Sequence, residues 1–295
     1  MSAEQTEGLD QTEGLKQAER LEQAGDNWRL VITEPATAAM NMAIDEAIMM
    51  SVSQGQSPAT IRFYQWSPPA ISLGYFQSLT KEVDRQACQQ AGVDVVRRLT
   101  GGRAVLHNRE FTYSLIAPEN QPEVAGTVLQ SYLAISKGLL QGLAKLGVEA
   151  ELTSGGTPNQ PANSAACFDA PSRYELVVGG KKLVGSAQTR RNGCLLQHGS
   201  IPLQLDPDLL FSVLNYASEE LRARAKVYLL SKATDLEQCL AYQPEFSQLC
   251  AGFQQGLAAG LGINLVRQQL LLEELKLAEH LAVNKYSTKH WNGRK

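Results

Sequence analysis

The stretch from Tyr174 to Ile201 constrains the fold more than any other part of the chain. Three runs of strand length, Tyr174 to Val178, Lys182 to Thr189 and Cys194 to Ile201, are separated only by short connections built on Gly179-Gly180 and Asn192-Gly193. Two-residue turns of this kind need positive φ, which Gly and Asn tolerate, and they join neighbouring antiparallel strands. The segment therefore predicts a three-stranded meander, which must bury one face to be stable. The chain has the residues for that core: 43% are hydrophobic and 19% charged, ordinary values for a soluble globular protein.

Strands are also expected at Trp28 to Ile32, Ile61 to Tyr64, Ala70 to Leu73, Val93 to Arg97, Ala104 to His107 and Phe111 to Ala117. Met40, Ala43, Ile44, Ala47 and Ile48 recur at the helical period, which puts Asp45 and Glu46 on a helix. A further helix is expected over 80–91, capped by Thr80. Another is expected over 127–146, with Thr127 as cap, Val128, Tyr132, Leu139, Leu143 and Leu146 on one face, and Gly147 at its end. After Pro207 the pattern turns helical, at 207–215, 218–230, 245–260 and 268–282. Strands followed by helices predict the α+β class (α/β in the wider sense): a mixed β-sheet packed with helices and carrying a helical C-terminal extension. No linker splits the body. The expected organisation is one domain over 28–265 with residues 266–295 packed on it. Residues 1–26 differ: Gln5 to Leu9 repeats at 11–15, a period that suits neither helix nor strand. That segment carries a net charge of −5 and is expected to be a disordered acidic tail.

Charge and cysteine usage exclude several classes of function. The whole chain is at −3, so the body is nearly neutral, which argues against binding nucleic acid by bulk charge. No run approaches the roughly 20 apolar residues of a membrane span, and the polar N-terminus does not read as a signal peptide. The five cysteines (88, 167, 194, 239 and 250) are odd in number and form no CxxC. A disulfide framework or zinc site is thus disfavoured, and a cytoplasmic location fits. The four histidines do not cluster with acids at metal-ligand spacing, so no metal site is expected.

Three constellations could carry chemistry. In Arg97-Arg98-Leu99-Thr100-Gly101-Gly102-Arg103-Ala104-Val105-Leu106-His107, two glycines let a ligand lie against backbone, and three arginines suit an anionic or strongly polar group. The plainer alternative is a glycine hairpin with solvated arginines. Cys167 follows a polar loop at 154–166; a thiolate is a good nucleophile and a good acyl leaving group if its pKa is lowered. The plainer alternative is a buried free thiol, which is assigned to the other four cysteines. On the strand from Lys182, alternation puts Lys182, Val184 and Ser186 on one side and Lys181, Leu183 and Gly185 on the other. An inward Lys182 near Cys167 would stabilise its thiolate. His198, alone on its strand, is more often a hydrogen-bonded core residue than a catalyst.

Taken together, RRLTGGRAVLH, then ACFDAPSRYELVVGGKKLVGSAQTRRNGCLLQHGSI, then NKYSTKHWN resemble the lipoate–protein ligase/biotin ligase superfamily. More narrowly they are similar to its cysteine-dependent octanoyltransferases of the LipM type, over about 28–292. The resemblance implies the superfamily's catalytic-domain fold, no cofactor and no metal. It implies transfer of octanoate from octanoyl-acyl carrier protein to a lysine of a lipoyl carrier domain, chiefly the glycine cleavage H protein. Within it, Cys167 matches the nucleophile that carries an acyl-thioester, and Lys182 the lysine credited with lowering its pKa. Arg98, Gly101, Gly102, Arg103 and His107 match the turn that walls the acyl pocket. Gly185 and Ser186 are candidate substrate contacts, a backbone N–H near them or the Lys182 ammonium itself is the candidate oxyanion donor, and Leu73, Val105 and Val184 are candidate pocket lining.

The wording departs from the neighbouring families in ways that matter. ATP-dependent lipoate ligases usually carry a third glycine where Arg103 stands and need no cysteine nucleophile. Biotin ligases carry a GRGR-type loop, which is absent. The lipoyl amidotransferases, second in rank, use a cysteine but lack the CFDAPSxYEL and GSAQ wording. Because acyl carrier proteins and lipoyl domains tend to be acidic around their modified sites, Arg97, Arg98, Arg103, Arg190 and Arg191 are expected to steer them, with the arginine pairs flanking the entrance.

Overall fold

The computed structural model describes residues 27–154 and 174–294. The acidic segment expected to be disordered, the 154–166 loop beyond Ser154, and Cys167 lie outside the described residues.

Eleven strands form two sheets. In chain order β1 is Asn27–Ile32, β2 Thr60–Tyr64, β3 Ala70–Leu73, β4 Asp94–Arg97, β5 Val105–His107 and β6 Glu110–Pro118. Then come β7 Glu151–Ser154, β8 Tyr174–Val178, β9 Lys181–Arg191, β10 Cys194–Pro202 and β11 Asn264–Arg267. The larger sheet has the order β11-β1-β2-β6-β10-β9-β8-β7 and the smaller β4-β3-β5. The β8-β9-β10 meander is as expected: both hairpin turns have positive φ at both residues, 55° and 75° at Gly179-Gly180 and 52° and 72° at Asn192-Gly193. The large sheet is mixed, because β1 runs parallel to both β2 and β11 while the rest is antiparallel.

Each face of the large sheet has its own cover. Helix α1 (Ala38–Ser53) begins at Thr37, whose hydroxyl accepts from Met40 N, and packs with Ile116 and Leu196. Two short helices, α2 (Leu79–Glu82) and α3 (Arg85–Gln90), flank the smaller sheet. On the other face, α4 (Val128–Lys145) has a reciprocal cap between Thr127 and Gln130 and buries Ile135, Leu139 and Leu143. After α5 (Pro207–Val213), α6 (Glu219–Lys232) and α7 (Leu236–Cys239), helix α8 (Phe246–Leu261) crosses α4 and closes that core with Phe253 and Leu257. Helix α9 (Leu272–Leu281) lies on α1, and α10 (Lys289–Asn292) ends the described chain.

Several expectations need correction. The helix expected over 80–91 is two helices, because Val83 bridges to Leu214 and Asp84 N donates to Val213 O, so tertiary pairing interrupts the turn. Asp84 then caps α3 through Gln86 N and Ala87 N. Val128, placed on the apolar face, is exposed. Strand β11, hidden in what looked like a helical tail, pairs with β1 across the 265/266 boundary expected between domain and extension. The helix expected from 268, α9, starts at Leu272, and Arg29 on β1 ties it down through a buried bidentate pair with Glu274 (2.6 and 2.9 Å).

Candidate active site

The small sheet lies over one face of the large one, and between them is a cavity of about 430 Å³, counting its mouth. Ser72 of β3, Arg98 and Gly102 of the following turn, and Val105 and His107 of β5 form one wall. Gly185, Ser186 and Ala187 of β9 and His198, Gly199 and Ser200 of β10 form the opposite wall, with Met42, Tyr64, Trp66 and Thr112 completing it. Many of these residue types are polar, yet the surface facing the cavity is mostly carbon. Their heteroatoms are spent on one another: Trp66 Nε1 donates to Thr112 (2.8 Å), Ser200 donates to Glu110 (2.5 Å), and Ser186 pairs with Tyr113 Oη (2.8 Å). The Trp66 ring stacks on His107 at 3.9 Å. Such an arrangement offers ring faces and methylenes to an apolar group while these polar atoms stay paired.

Gly199 is the condition for this wall. A Cβ there would come within 2.5 Å of Tyr113 and 2.8 Å of Ser186 Oγ. In the Gly101-Gly102 turn it is Gly102 that is confined: it has φ +91° and packs so near Gly74 that a Cβ on Gly74 would sit 1.9 Å from Gly102 O.

Of the residues singled out in the sequence, Arg98, Gly102, His107, Gly185 and Ser186 meet at this cavity, as does His198. His198 is both the buried, hydrogen-bonded residue expected and a pocket wall. Gly101 and Arg103 build the turn through their carbonyls, which accept from Arg98. Val105 lines the cavity, whereas Leu73 and Val184 belong to other core clusters.

Lys182 lies further back on β9 and is buried, with Nζ 3.0 Å from Glu175 Oε1. Its expected alternation with Val184 does not hold. The β8–β9 register slips so that Val177 faces Lys182 and Leu176 faces Val184, and Leu183 and Val184 join one core. Cys167 lies outside the described residues. Cys88, Cys194 and Cys250 are buried free thiols, as assigned, and burial pushes them up to about 11, whereas Cys239 is only half-buried, though burial raises it as well.

The arginine expectation changes most. Arg97 is fully buried and donates to six carbonyls, among them Gly74, Gln77, Trp291 and Arg294, so it staples the C-terminal segment to the pocket turn. Arg98 is buried too, with its donors turned inward. Neither can flank an entrance or grip an anion. Arg191 reaches Leu99 O and stacks over Tyr75 at 4.6 Å, next to the exposed Phe76, while Arg190 reaches Glu119.

Sequence reasoning missed Ser72, Trp66, Thr112, Ser200, Glu110 and Asp45. The His107–Glu110 spacing was a signal available locally, since their atoms meet at 2.7 Å. The others assemble only across strands. Among the described residues no group of His, Cys, Asp and Glu could hold a metal ion, and no helix is long and apolar enough to cross a membrane.

Comparison with known proteins gives this geometry a family. Residues 37–258 match the model of the lipoyl protein ligase A/B catalytic domain. The octanoyltransferase LipM of Brevibacillus brevis is 45% identical over 276 residues, covering 92% of this chain and all of that one. That of Bacillus subtilis is 42% identical over 272 residues, with coverage of 90% and 98%. Among solved structures, the bi-partite lipoate protein ligase of Thermoplasma acidophilum superposes with a TM-score of 0.75 at 26% identity, covering 92% of this chain and 98% of that one. Lipoate-protein ligase A bound with ATP gives 0.72 at 25% identity, with coverage of 90% and 98%. The chain belongs to the lipoyl protein ligase A/B catalytic domain family, on the branch whose curated members are LipM octanoyltransferases.

Proposed function

We propose that this enzyme is an acyltransferase of lipoate biosynthesis. It takes an octanoyl group from octanoyl-acyl carrier protein onto Cys167 and passes it to a lysine of a lipoyl carrier domain, the glycine cleavage H protein being the favoured acceptor. The observation that carries the reading is the layout of β9. The strand holds a buried ammonium at Lys182, and a few residues further on it walls a carbon-faced cavity with Gly185, Ser186 and Ala187.

The chemistry is two acyl exchanges. The Cys167 thiol gives its proton to solvent, its thiolate attacks the thioester carbon, and the carrier sulfur leaves as a thiolate that takes a proton back from solvent. The acceptor amine then attacks the Cys167 thioester, the Cys167 sulfur leaves as the amide forms, and the proton lost by the amine returns to that sulfur. The first exchange is nearly isoenergetic and the second is downhill, so no ATP is required. A free thiol of pKa ~8.5 is only a few per cent thiolate at neutral pH. A neighbouring ammonium lowers such a pKa by about 1–3 units, and Lys182 is the residue assigned that role. Burying the chain contributes about 0.8 kcal/mol per methylene, so cavity length sets acyl selectivity. The four other cysteines, held as thiols, leave Cys167 as the reactive one. A reducing compartment such as the cytoplasm keeps that thiol free.

Intact-protein mass spectrometry after mixing with octanoyl-acyl carrier protein, without ATP, tests the reading. An octanoyl adduct is expected on the wild type, absent from Cys167→Ala, and discharged by a lipoyl-domain acceptor. Modification of the acceptor only when ATP and free acid are supplied would instead identify an adenylate-forming ligase.

A further inference from the structure

Arg98 is the meeting point of two chains of hydrogen bonds that enter from opposite sides of the cavity. Its five N–H groups are all used. Nε donates to Thr100 Oγ1 (3.1 Å), Nη1 to Ser72 O (2.8 Å) and Ser72 Oγ (3.1 Å), and Nη2 to Gly101 O and Arg103 O (2.7 Å each). Behind Ser72 stands His107, with Nε2 at 2.7 Å from Ser72 Oγ and Nδ1 at 2.7 Å from Glu110 Oε1. Behind Thr100 stands His198, with Nε2 at 2.6 Å from Thr100 Oγ1 and Nδ1 facing Asp45 Oδ2 at 3.6 Å. All of these side chains are buried.

A guanidinium only donates, so Ser72 and Thr100 accept from it. Each hydroxyl keeps one proton to give, and its other close partner is an imidazole Nε2. With the hydroxyl donating to Nε2, each ring carries its proton on Nδ1, toward a carboxylate. The carboxylates are anchored in turn: Glu110 also accepts from Thr112 and Ser200, and Asp45 from Arg62, Ser114 and Tyr64.

Hydroxyl, imidazole and carboxylate in this order is also the layout of a nucleophilic triad. A triad needs spare donors where the oxyanion develops. The donor beside Ser72 is Arg98, and its N–H groups are already committed. These arrays hold rather than attack.

We infer that Ser72–His107–Glu110 and Thr100–His198–Asp45 are two positioning relays that lock Arg98, and through it the Gly101–Arg103 turn, as a rigid wall of the acyl cavity. The inference rests on the acyltransferase reading for what fills the cavity. It makes Ser72, Thr100, His107 and His198 positioning residues for binding the acyl chain, with no part in the chemistry at sulfur. The wall they hold has little slack, since a Cβ on Gly102 would lie 2.9 Å from Arg98 Nη2.

The relays require neutral imidazoles, because a protonated ring donates at both nitrogens and displaces the hydroxyl proton from Nε2. Asp45 of α1, with Arg62 and Tyr64 of β2 on its far side, Arg98 beyond Thr100, and His107 across the cavity are the charged and titratable groups around His198. Burial, reinforced by the Arg98 charge, holds His198 below its ordinary value although Asp45 opposes the shift.

Two measurements on the full chain test the relays. Long-range proton–nitrogen NMR of the imidazoles at pH 7.5 should find His107 and His198 neutral with the proton on Nδ1. A proton on Nε2, or an imidazolium, would overturn the inference. This readout needs no turnover, so it stands even if no acyl-enzyme forms and the octanoyl reading fails. In steady-state kinetics with an octanoyl thioester, Thr100→Val and Ser72→Ala should each raise KM about tenfold with kcat within about threefold of wild type, the pattern of lost uniform binding. Thr100→Ser, which keeps the hydroxyl, should restore KM. The wild-type KM should itself rise as the pH falls below that of a free histidine, ~6.5. An unchanged KM in Thr100→Val, or a loss confined to kcat, sinks the proposal. Should Thr100→Val not fold, Ser72→Ala decides on the same criteria.

Discussion

Lys182 Nζ lies 3.0 Å from Glu175 Oε1, across a hairpin that slips its register beside the pair. The slip lets Leu183 and Val184 enter the same core while the ammonium stays covered, so this charge is held by β8 and β9 and not by a mobile surface arm. Tyr132 of α4 is close enough to feel both charges, Lys182 lowering and Glu175 raising its phenol, although burial is the larger effect and raises it.

Removing one partner leaves the other charge covered and short of one counter-charge. Glu175→Gln should destabilise the protein by about 1–3 kcal/mol, less than a fully buried pair because some water still reaches both groups. Urea unfolding checks this: a midpoint shifted down at constant slope is expected, and an unshifted midpoint contradicts it. Lys182→Met should lose cysteine acylation by at least about tenfold, given the ~1–3 units an ammonium is worth to a neighbouring thiolate. A Lys182→Arg variant keeps the charge and should recover part of the rate.

Thiol reactivity separates the cysteines. Cys88, Cys194 and Cys250 are pushed up to about 11 by burial, and Cys239 is raised as well. At pH 7.5 an aromatic disulfide reagent should label the native wild type at a single thiol, and native Cys167→Ala almost not at all, because the thiolate is the reacting species. Denatured Cys167→Ala should release four equivalents, the count of its remaining cysteines. Fast labelling of the native variant would show that one of the four is more accessible than its burial allows.

What was legible in the sequence follows from how local each signal is. The meander was readable because Gly179-Gly180 and Asn192-Gly193 fix their own turns. The helix from Val128 was readable because Thr127 and Gln130 cap it without outside help. The break at Val83-Asp84 was not, since it is made by residues on α5 and just after it, Val213 and Leu214. Strand β11 was not, since a four-residue edge strand shows only when β1 is beside it. At the site, the Gly-Gly turn and its arginines were found, but their roles were misread. A row of arginines looks like an anion grip, and only three-dimensional packing reveals that Arg97 and Arg98 spend their donors on backbone carbonyls and hydroxyls.

Acid should weaken the fold in two stages. Folded His198 is depressed, chiefly by burial, so its unfolded form takes up a proton first as pH falls below ~6.5. The stability is whole above that value and declines as the pH drops toward the folded pKa. Burial alone would raise Asp45, but the Arg62 charge and the His198 contacts outweigh it and leave the carboxyl below its ordinary value. Its contribution is whole above the unfolded carboxylate range and is lost as pH falls through the folded pKa. His198→Gln should therefore flatten the pH dependence of the urea midpoint below about 6.5. A midpoint that stays equally steep there would remove His198 as its cause. Asp45→Asn should cost about 3–5 kcal/mol at pH 7, since Arg62 is fully buried and loses its counter-charge.

The contact between α4 and α8 is set by glycines, and it decides whether the sheet face behind the Ser186–Tyr113 pair stays covered. An alanine Cβ at Gly256 would lie 2.0 Å from Gly142 N and 2.3 Å from its Cα, and one at Gly142 would lie 2.5 Å from Phe253. Backbone cannot give way as a side-chain tip can, so Gly256→Ala must push the helices apart and uncover Leu139, Leu257 and Phe253. Helix propensity acts the other way: alanine in a helix interior gains about 1 kcal/mol over glycine. Overpacking of this kind costs about 1–3 kcal/mol and more when backbone is struck, so the clash should win. Gly256→Ala is expected to lower the melting temperature by several degrees, and Gly142→Ala by less, because Phe253 can turn. A stabilised Gly256→Ala would mean that the helices have slack the close backbone approach denies.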